Sequence, residues 1–233
     1  MNKPCAASPW AKWIEQALHM NPPFKRPAAN HETPMVCTVR RRFLGQWSSA
    51  AAVALLGMPG GVQAQPERQA GAAELLRLWR QSGGALLIRH AATEAGLGDP
   101  AGFTLGQCRT QRNLSEAGRQ ASQAFGAWLK AQNFKPDAVL SSQWCRCQDT
   151  ARLAFGQFED WPALNSTFAG QGDPAAQQKA LLARLRELPK GRTEVWVTHQ
   201  VIMTGLTGAY PSMGEGFLVD RQGRLLARAE LAP

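Results

Sequence analysis

The sequence predicts an α/β fold, a three-layer sandwich around a mainly parallel central sheet. Two observations carry this. Short apolar runs at 85–88, 137–140 and 194–198 have the length of buried strands, and helical stretches separate them. Each run also ends in polar, chemistry-bearing residues, as expected where a parallel sheet presents its carboxyl ends to a ligand.

The elements follow in order. Residues 72–81 are amphipathic, with Leu75, Leu76, Leu78 and Trp79 apolar, and read as a helix. Residues 85–88, Ala-Leu-Leu-Ile, form the first strand. Ser115 is placed to cap a long helix reaching about residue 132. Residues 137–140 give the second strand, and Ser142 stands where it could cap a helix over 144–155. A helix over 175–188, a third strand over 194–198 and a short helix over 201–207 come next. Residues 215–220 and 225–231 read as a hairpin around Arg221-Gln222-Gly223-Arg224. No internal repeat is visible. Trp128, Trp144, Trp161 and Trp196 read as packing residues.

Upstream, residues 1–34 are proline-rich and aperiodic, an irregular leader, with Met35 as an alternative start. Residues 35–64 have the layout of a signal peptide. Arg40-Arg41-Arg42-Phe43-Leu44 precedes a mildly apolar run over 50–58, and Val62-Gln63-Ala64 supplies a small-residue cleavage site. The Arg-Arg-x-Phe-Leu pattern is that of a twin-arginine signal, read by an export machinery. The expectation is therefore an exported, periplasmic domain over 65–233, released after about Ala64. The apolar run falls well short of the roughly 20 residues of a membrane-spanning helix.

At 44% hydrophobic and 18% charged, the 233-residue chain can bury a core. Its formal charge is +9, but seven of its basic residues and only two acids lie in 1–64, leaving 19 basic and 15 acidic residues in 65–233. That net of +4 suits a small anion as well as it suits nucleic acid. No basic–aromatic interleaving points to nucleic acid, and no Gly-x4-Gly-Lys loop points to a nucleotide.

The three strand ends read Arg89-His90-Ala91-Ala92-Thr93, then Ser141 through Ala151 with Arg146 inside, then Thr198-His199-Gln200. His90 and His199 are the only histidines in 65–233, and both follow buried strands. A neutral imidazole nitrogen can attack phosphorus and form a covalent phosphohistidine. Charge then spreads over three equatorial oxygens, which forked guanidinium groups match. A second histidine can stabilise the same oxygens.

With these residues in view, Leu-Ile-Arg-His at 87–90, Ser-Ser-x-x-x-Arg-x-x-x-Thr-Ala at 141–151 and Val-Thr-His at 197–199 resemble the histidine phosphatase superfamily, phosphoglycerate mutase-like branch. Leu114-Ser115-Glu116-Ala117-Gly118 is similar to that family's Leu–Ser/Thr–x–x–Gly helix start. The resemblance implies a phosphoglycerate mutase-like fold and a metal-independent phosphatase without cofactor. It assigns His90 as nucleophile, Arg89 and Arg146 as phosphoryl ligands, and His199 as the second pocket histidine. Thr93 would line the pocket, and Arg112 would contact the substrate anion. A small phosphorylated substrate follows. Export suggests a cell-surface sugar phosphate, in the manner of lipopolysaccharide core heptose phosphate phosphatases.

There are two departures. Ala91 stands in place of the family's usual glycine. The family's general acid has no evident counterpart: Asn165 stands near its expected place and cannot donate a proton to an alkoxide, while Glu159, Asp160 and Glu94 are candidates without a position. A missing acid favours substrates with good leaving groups, and leaves two alternatives open: a non-catalytic phosphate-binding module, and a mutase-like phosphotransferase.

Five cysteines are present, three of them (Cys108, Cys145, Cys147) in 65–233. One bridge from Cys108 to either Cys145 or Cys147 is expected in an oxidising compartment. Cys145-x-Cys147 is a poor metal site, and a Cys-x5-Arg nucleophile fails because Ala151 and Leu153 stand at the arginine positions.

Overall fold

The computed structural model describes residues 68–231, so the leader and signal-peptide segments lie outside the described residues. The elements are β1 (Arg68–Gln69), α1 (Ala72–Ser82), β2 (Gly84–Arg89), α2 (Glu116–Ala131), β3 (Ala138–Ser141), α3 (Cys145–Phe155), β4 (Glu159–Asp160), α4 (Pro174–Glu187), β5 (Thr193–Thr198), α5 (Gln200–Thr207), β6 (Glu215–Val219) and β7 (Leu225–Glu230). The strands form one sheet in the order β1-β7-β6-β2-β5-β3-β4. Strands β2, β5, β3 and β4 run parallel, and β1 is parallel to β7. β6 runs antiparallel to both its neighbours. The expected α/β sandwich is the observed one, with the hairpin adding the antiparallel part.

Two-sided burial explains the apolar strands. Leu86 and Ile88 of β2 face a core built with Leu75 and Trp79 of α1, Phe125 of α2 and Ala151 of α3. Ala85 and Leu87 face the other core, with Leu181 and Leu185 of α4 and Met203 of α5. Burying each Leu, Ile, Phe or Met among them contributes about 1.5–3 kcal/mol. The sheet is therefore covered on both sides, and ligands can reach it only at its ends. No helix among the described residues is long and apolar enough to cross a membrane.

Two close approaches fix the helices. A Cβ on Gly118 would lie 2.0 Å from the Ala92 carbonyl oxygen, and one on Gly126 would lie 2.2 Å from that of Ala154. Gly118 thus lets the start of α2 sit directly on the chain leaving β2. Ser115 caps α2 as expected, accepting from the Gly118 N–H at 3.2 Å, and its own N–H donates to the Ala92 carbonyl at 3.0 Å.

Two features differ from the sequence reading. The two-residue strands β1 and β4 were not expected. Ser142 does not cap α3: Trp144 occupies the N-cap position without a side-chain cap, and the buried Gln111 side chain accepts from the Cys145 N–H at 3.0 Å instead.

Candidate active site

The carboxyl ends of β2, β5 and β3 lie side by side, and the residues after them converge. In β2 and β5, Arg89 pairs with Thr198, and the His90 N–H continues the ladder to the Thr198 carbonyl at 3.0 Å. His90 and His199 therefore leave adjacent strands at the same level. Their rings lie 5.5 Å apart, edge to face, and each residue is only 3% exposed. Arg89, His90, Arg112, Arg146 and His199 all line one cavity of about 390 Å³. A larger cavity of about 870 Å³ lies around the start of β3, between Lys130, Lys135 and Arg192, and contains none of these residues.

His90 is oriented by its own chain. Its Nδ1 lies 2.9 Å from the Ala91 carbonyl, which can only accept, so Nδ1 carries the proton and Nε2 is bare. Burial pushes its pKa down to about 3; the Ala91 hydrogen bond opposes this, and Arg146, Arg89 and Arg112 add to it. Ala91 is not in the left-handed region, so alanine is accepted there without strain. Its N–H donates to Thr150 Oγ1 at 3.1 Å, and Thr150 Oγ1 donates to the Arg146 carbonyl at 2.7 Å. The Thr-Ala end of the second motif thus ties α3 to the His90 strand end.

Arg146, 4% exposed, reaches into the cavity from the first turn of α3. Its Nη1 donates to Asp99 Oδ1 at 2.7 Å, and its Nη2 lies 3.5 Å from His199 Nδ1. Arg89 donates through Nη1 to the Pro211 carbonyl at 2.8 Å. Arg112 Nη1 donates to Thr93 Oγ1 and to the Gly96 carbonyl, both at 2.8 Å. Among the described residues, the Nε of each of these three arginines is buried and has no hydrogen-bond partner.

His199 is held at both nitrogens. Nε2 lies 2.8 Å from Ser142 Oγ and 3.5 Å from the buried Cys147 sulfur. Burial pushes its pKa well below the ordinary value, and His90 and the three arginines push further in the same direction. Ser142 Oγ also lies 3.2 Å from Asn165 Oδ1 and has one hydrogen to give. Given to Asn165, it leaves the His199 proton on Nε2. Given to His199, it moves that proton to Nδ1, on the Arg146 side. Ser142, expected as a helix cap, thus sets the His199 tautomer.

Two expectations are corrected. Thr93 does not line the cavity; it positions Arg112 by accepting from its guanidinium. Trp144 is more than packing: its Nε1 donates to Asp99 Oδ2 at 3.0 Å, and its ring meets that of His199 edge-on at 5.3 Å. The expected acids are also located. Glu94, Glu159 and Asp160 are exposed and off the cavity wall. Asn165 is fully engaged: Oδ1 accepts from the Gln143 N–H at 2.9 Å, and Nδ2 donates to Gln143 Oε1 at 2.8 Å.

Asp99 is the residue that the sequence reading missed. Its carboxylate accepts from Arg146, from Trp144 and, at 2.9 Å, from the Arg112 backbone N–H. Burial alone would raise its pKa, but these hydrogen bonds and the Arg146 charge outweigh it and hold the carboxylate below its usual range. The only sequence signal was one acid in the glycine-rich stretch Gly96-Leu97-Gly98-Asp99. Cys108 bridges Cys145 and ties this loop to α3, while Cys147 is free and buried, its pKa pushed up to about 12 by burial. Among the described residues no cluster of three His, Cys, Asp or Glu side chains could hold a metal ion.

Residues 85–173 match the family model of the histidine phosphatase superfamily, branch 1. No curated protein matches. Solved structures similar to the chain include the protein histidine phosphatase SixA complexed with tungstate, at 18% identity, covering 63% of this chain and 96% of that one with a TM-score of 0.42. A putative alpha-ribazole-5'-P phosphatase from Escherichia coli K-12 shares 21% identity over 60% of this chain and 92% of its own, with a TM-score of 0.46. TTHB049 from Thermus thermophilus shares 19% identity over 62% and 97%, with a TM-score of 0.43.

Proposed function

We propose that this chain, whose residues 85–173 belong to the histidine phosphatase superfamily, hydrolyses phosphomonoesters or related phosphoryl compounds through a phosphohistidine on His90. The observation that carries the reading is a buried histidine with a bare Nε2 that lines one cavity together with three arginines. Three guanidinium groups around one cavity match the charge of a phosphoryl group.

The chemistry follows from the positions. His90 Nε2 attacks phosphorus, the N–P bond forms, and the bond to the leaving oxygen breaks. Arg89, Arg112 and Arg146 balance the charge on the equatorial oxygens. A substrate oxygen beside His199 Nδ1 draws the Ser142 hydrogen to Nε2, so that Nδ1–H can donate to that oxygen. Water then attacks the phosphohistidine, releases phosphate and restores the bare nitrogen. No step needs a base to activate His90, because burial keeps it unprotonated.

Export to the periplasm by the twin-arginine route remains carried by residues 35–64, and the Cys108–Cys145 bridge agrees with an oxidising compartment. The second reading, a phosphate-binding module without turnover, is favoured by one observation: among the described residues the one carboxylate on the cavity wall, Asp99, already accepts from three donors. Phosphate release from an aryl phosphate, measured on the full chain with chelator present and beside His90→Ala, tests both. Chelator-resistant release that the substitution abolishes, with an acid-labile phosphate trapped on His90, supports the enzyme. Tight tungstate binding with no release supports the module.

A further inference from the structure

The cavity wall beyond the arginines is a different environment from its base. Five apolar residues, Leu97, Phe103 and Phe168 among them, line it beside the neutral Ser166, Gln171 and Gln200, and among the described residues the only charged groups on the wall are the three arginines and Asp99. Leu97 is 88% exposed and Phe168 46%, two of the few large apolar side chains the described fold leaves in water. They come from separate loops that meet: a Cβ on Gly98 would lie 3.2 Å from the Phe168 ring. Phe168 is also displayed by strained backbone, since Ala169 beside it sits at φ 59°, in the left-handed region that disfavours alanine. Strain of this kind is kept where surrounding structure holds a functional surface.

A second, independent observation concerns the leaving group. Asp99 is the one carboxylate on the wall among the described residues, and three donors hold it ionised. Asn165 is an amide with both ends engaged. The site therefore has no ready proton for a departing alkoxide. An acid typically contributes about 10²–10⁴-fold to such a step. A leaving group that departs as a stable anion does not need one.

We infer that the substrate class of this site is a phosphate carried on an uncharged aromatic ring, an aryl phosphate, with the ring against Leu97 and Phe168. This rests on the phosphatase reading above and names its substrate. The O–P bond breaks toward the ring, and the phenolate leaves unprotonated and takes its proton from water. A second phosphate or carboxylate on the leaving group would meet no cation on the outer wall. A polyol would set its hydroxyls against Leu97 and Phe168 where the ring would sit.

Four substrates separate the two arguments: phenyl, benzyl and glucose 6-phosphate, with acetyl phosphate as a small compound whose leaving group needs no acid. The full chain is assayed for kcat/KM on each. Phenyl over benzyl phosphate reads the missing acid, and a ratio of about a hundredfold or more is expected. Benzyl over glucose 6-phosphate reads the apolar wall, with about tenfold or more expected. A Leu97→Ser, Phe168→Ser double variant should lower the ratio of phenyl to acetyl phosphate about tenfold. Ratios are indifferent to any loss of folded protein. Phenyl and benzyl phosphate hydrolysed equally, or glucose 6-phosphate matching benzyl phosphate, would overturn the inference while leaving the phosphatase intact. Release from none of the four would overturn both.

Discussion

Lowering the pH from 7 to 5 should destabilise this protein through His90, and the size of the effect follows from its burial. In the unfolded chain the imidazole titrates near 6.5; in the fold its pKa is about 3. Between these values the unfolded chain takes up a proton that the folded one does not, so stability is complete above about pH 6.5, falls as the pH drops, and stops falling near pH 3. At pH 5 the unfolded state has gained about one and a half pH units of protonation, worth about 2 kcal/mol at 1.36 kcal/mol per unit. His199, shifted the same way, adds to the loss. Asp99, Asp137 and Glu215 have lowered values and contribute mainly below this window, so pH 5 isolates the histidines. The assay is urea unfolding of wild type and His90→Asn at both pH values. Wild type should lose about 2 kcal/mol more than the variant, about 1 M in midpoint for a slope near 2 kcal/mol/M. Equal losses in the two proteins would refute the burial argument, and with it the bare, unprotonated nucleophile.

Three further outcomes are expected. Asp99→Asn leaves the Arg146 charge buried without its counter-charge, so it should destabilise by about 3 kcal/mol and lower kcat/KM more than tenfold; an unchanged melting curve would show that the pair holds nothing. Reducing the Cys108–Cys145 bridge, or replacing Cys108 with Ser, releases a 37-residue loop and should lower stability by about 4 kcal/mol, read as a urea midpoint with and without reductant. Gly118→Ala puts a methyl group 2.0 Å from a backbone oxygen and should cost about 2 kcal/mol or more, visible in thermal melts, whereas a neutral result would mean that α2 can shift off the β2 strand end.

What could be read from the sequence was whatever has a period or a motif. The strands β2, β3 and β5 are continuous apolar runs because both faces are buried, and the Ser115 cap and Gly118 share one local signature. β1 and β4 had no such signal: two residues carry no period, and each exists only because a longer strand offers it an edge. The histidines and arginines were found at strand ends, where topology alone brings them together. Asp99 and Ser142 were not, because their roles arise between segments far apart in sequence: Asp99 meets Arg146 across 47 residues and Ser142 meets His199 across 57. The bridge was open between Cys145 and Cys147 for a related reason. Two positions apart on a helix, the two cysteines face different ways, and only the packing of α3 decides which meets Cys108.

The paired strand ends have a further consequence for how this protein can change. The spacing between His90 and His199 is set at its base by the ladder between two neighbouring parallel strands. The substrate-facing wall, by contrast, comes from the loops around Leu97 and Phe168. Substitutions at Leu97 and Phe168 themselves can redraw what enters, while Asp99 and the Gly96 carbonyl beside Leu97 must stay to hold Arg146 and Arg112. New specificities can therefore be set at these two side chains without disturbing the reaction centre beneath them.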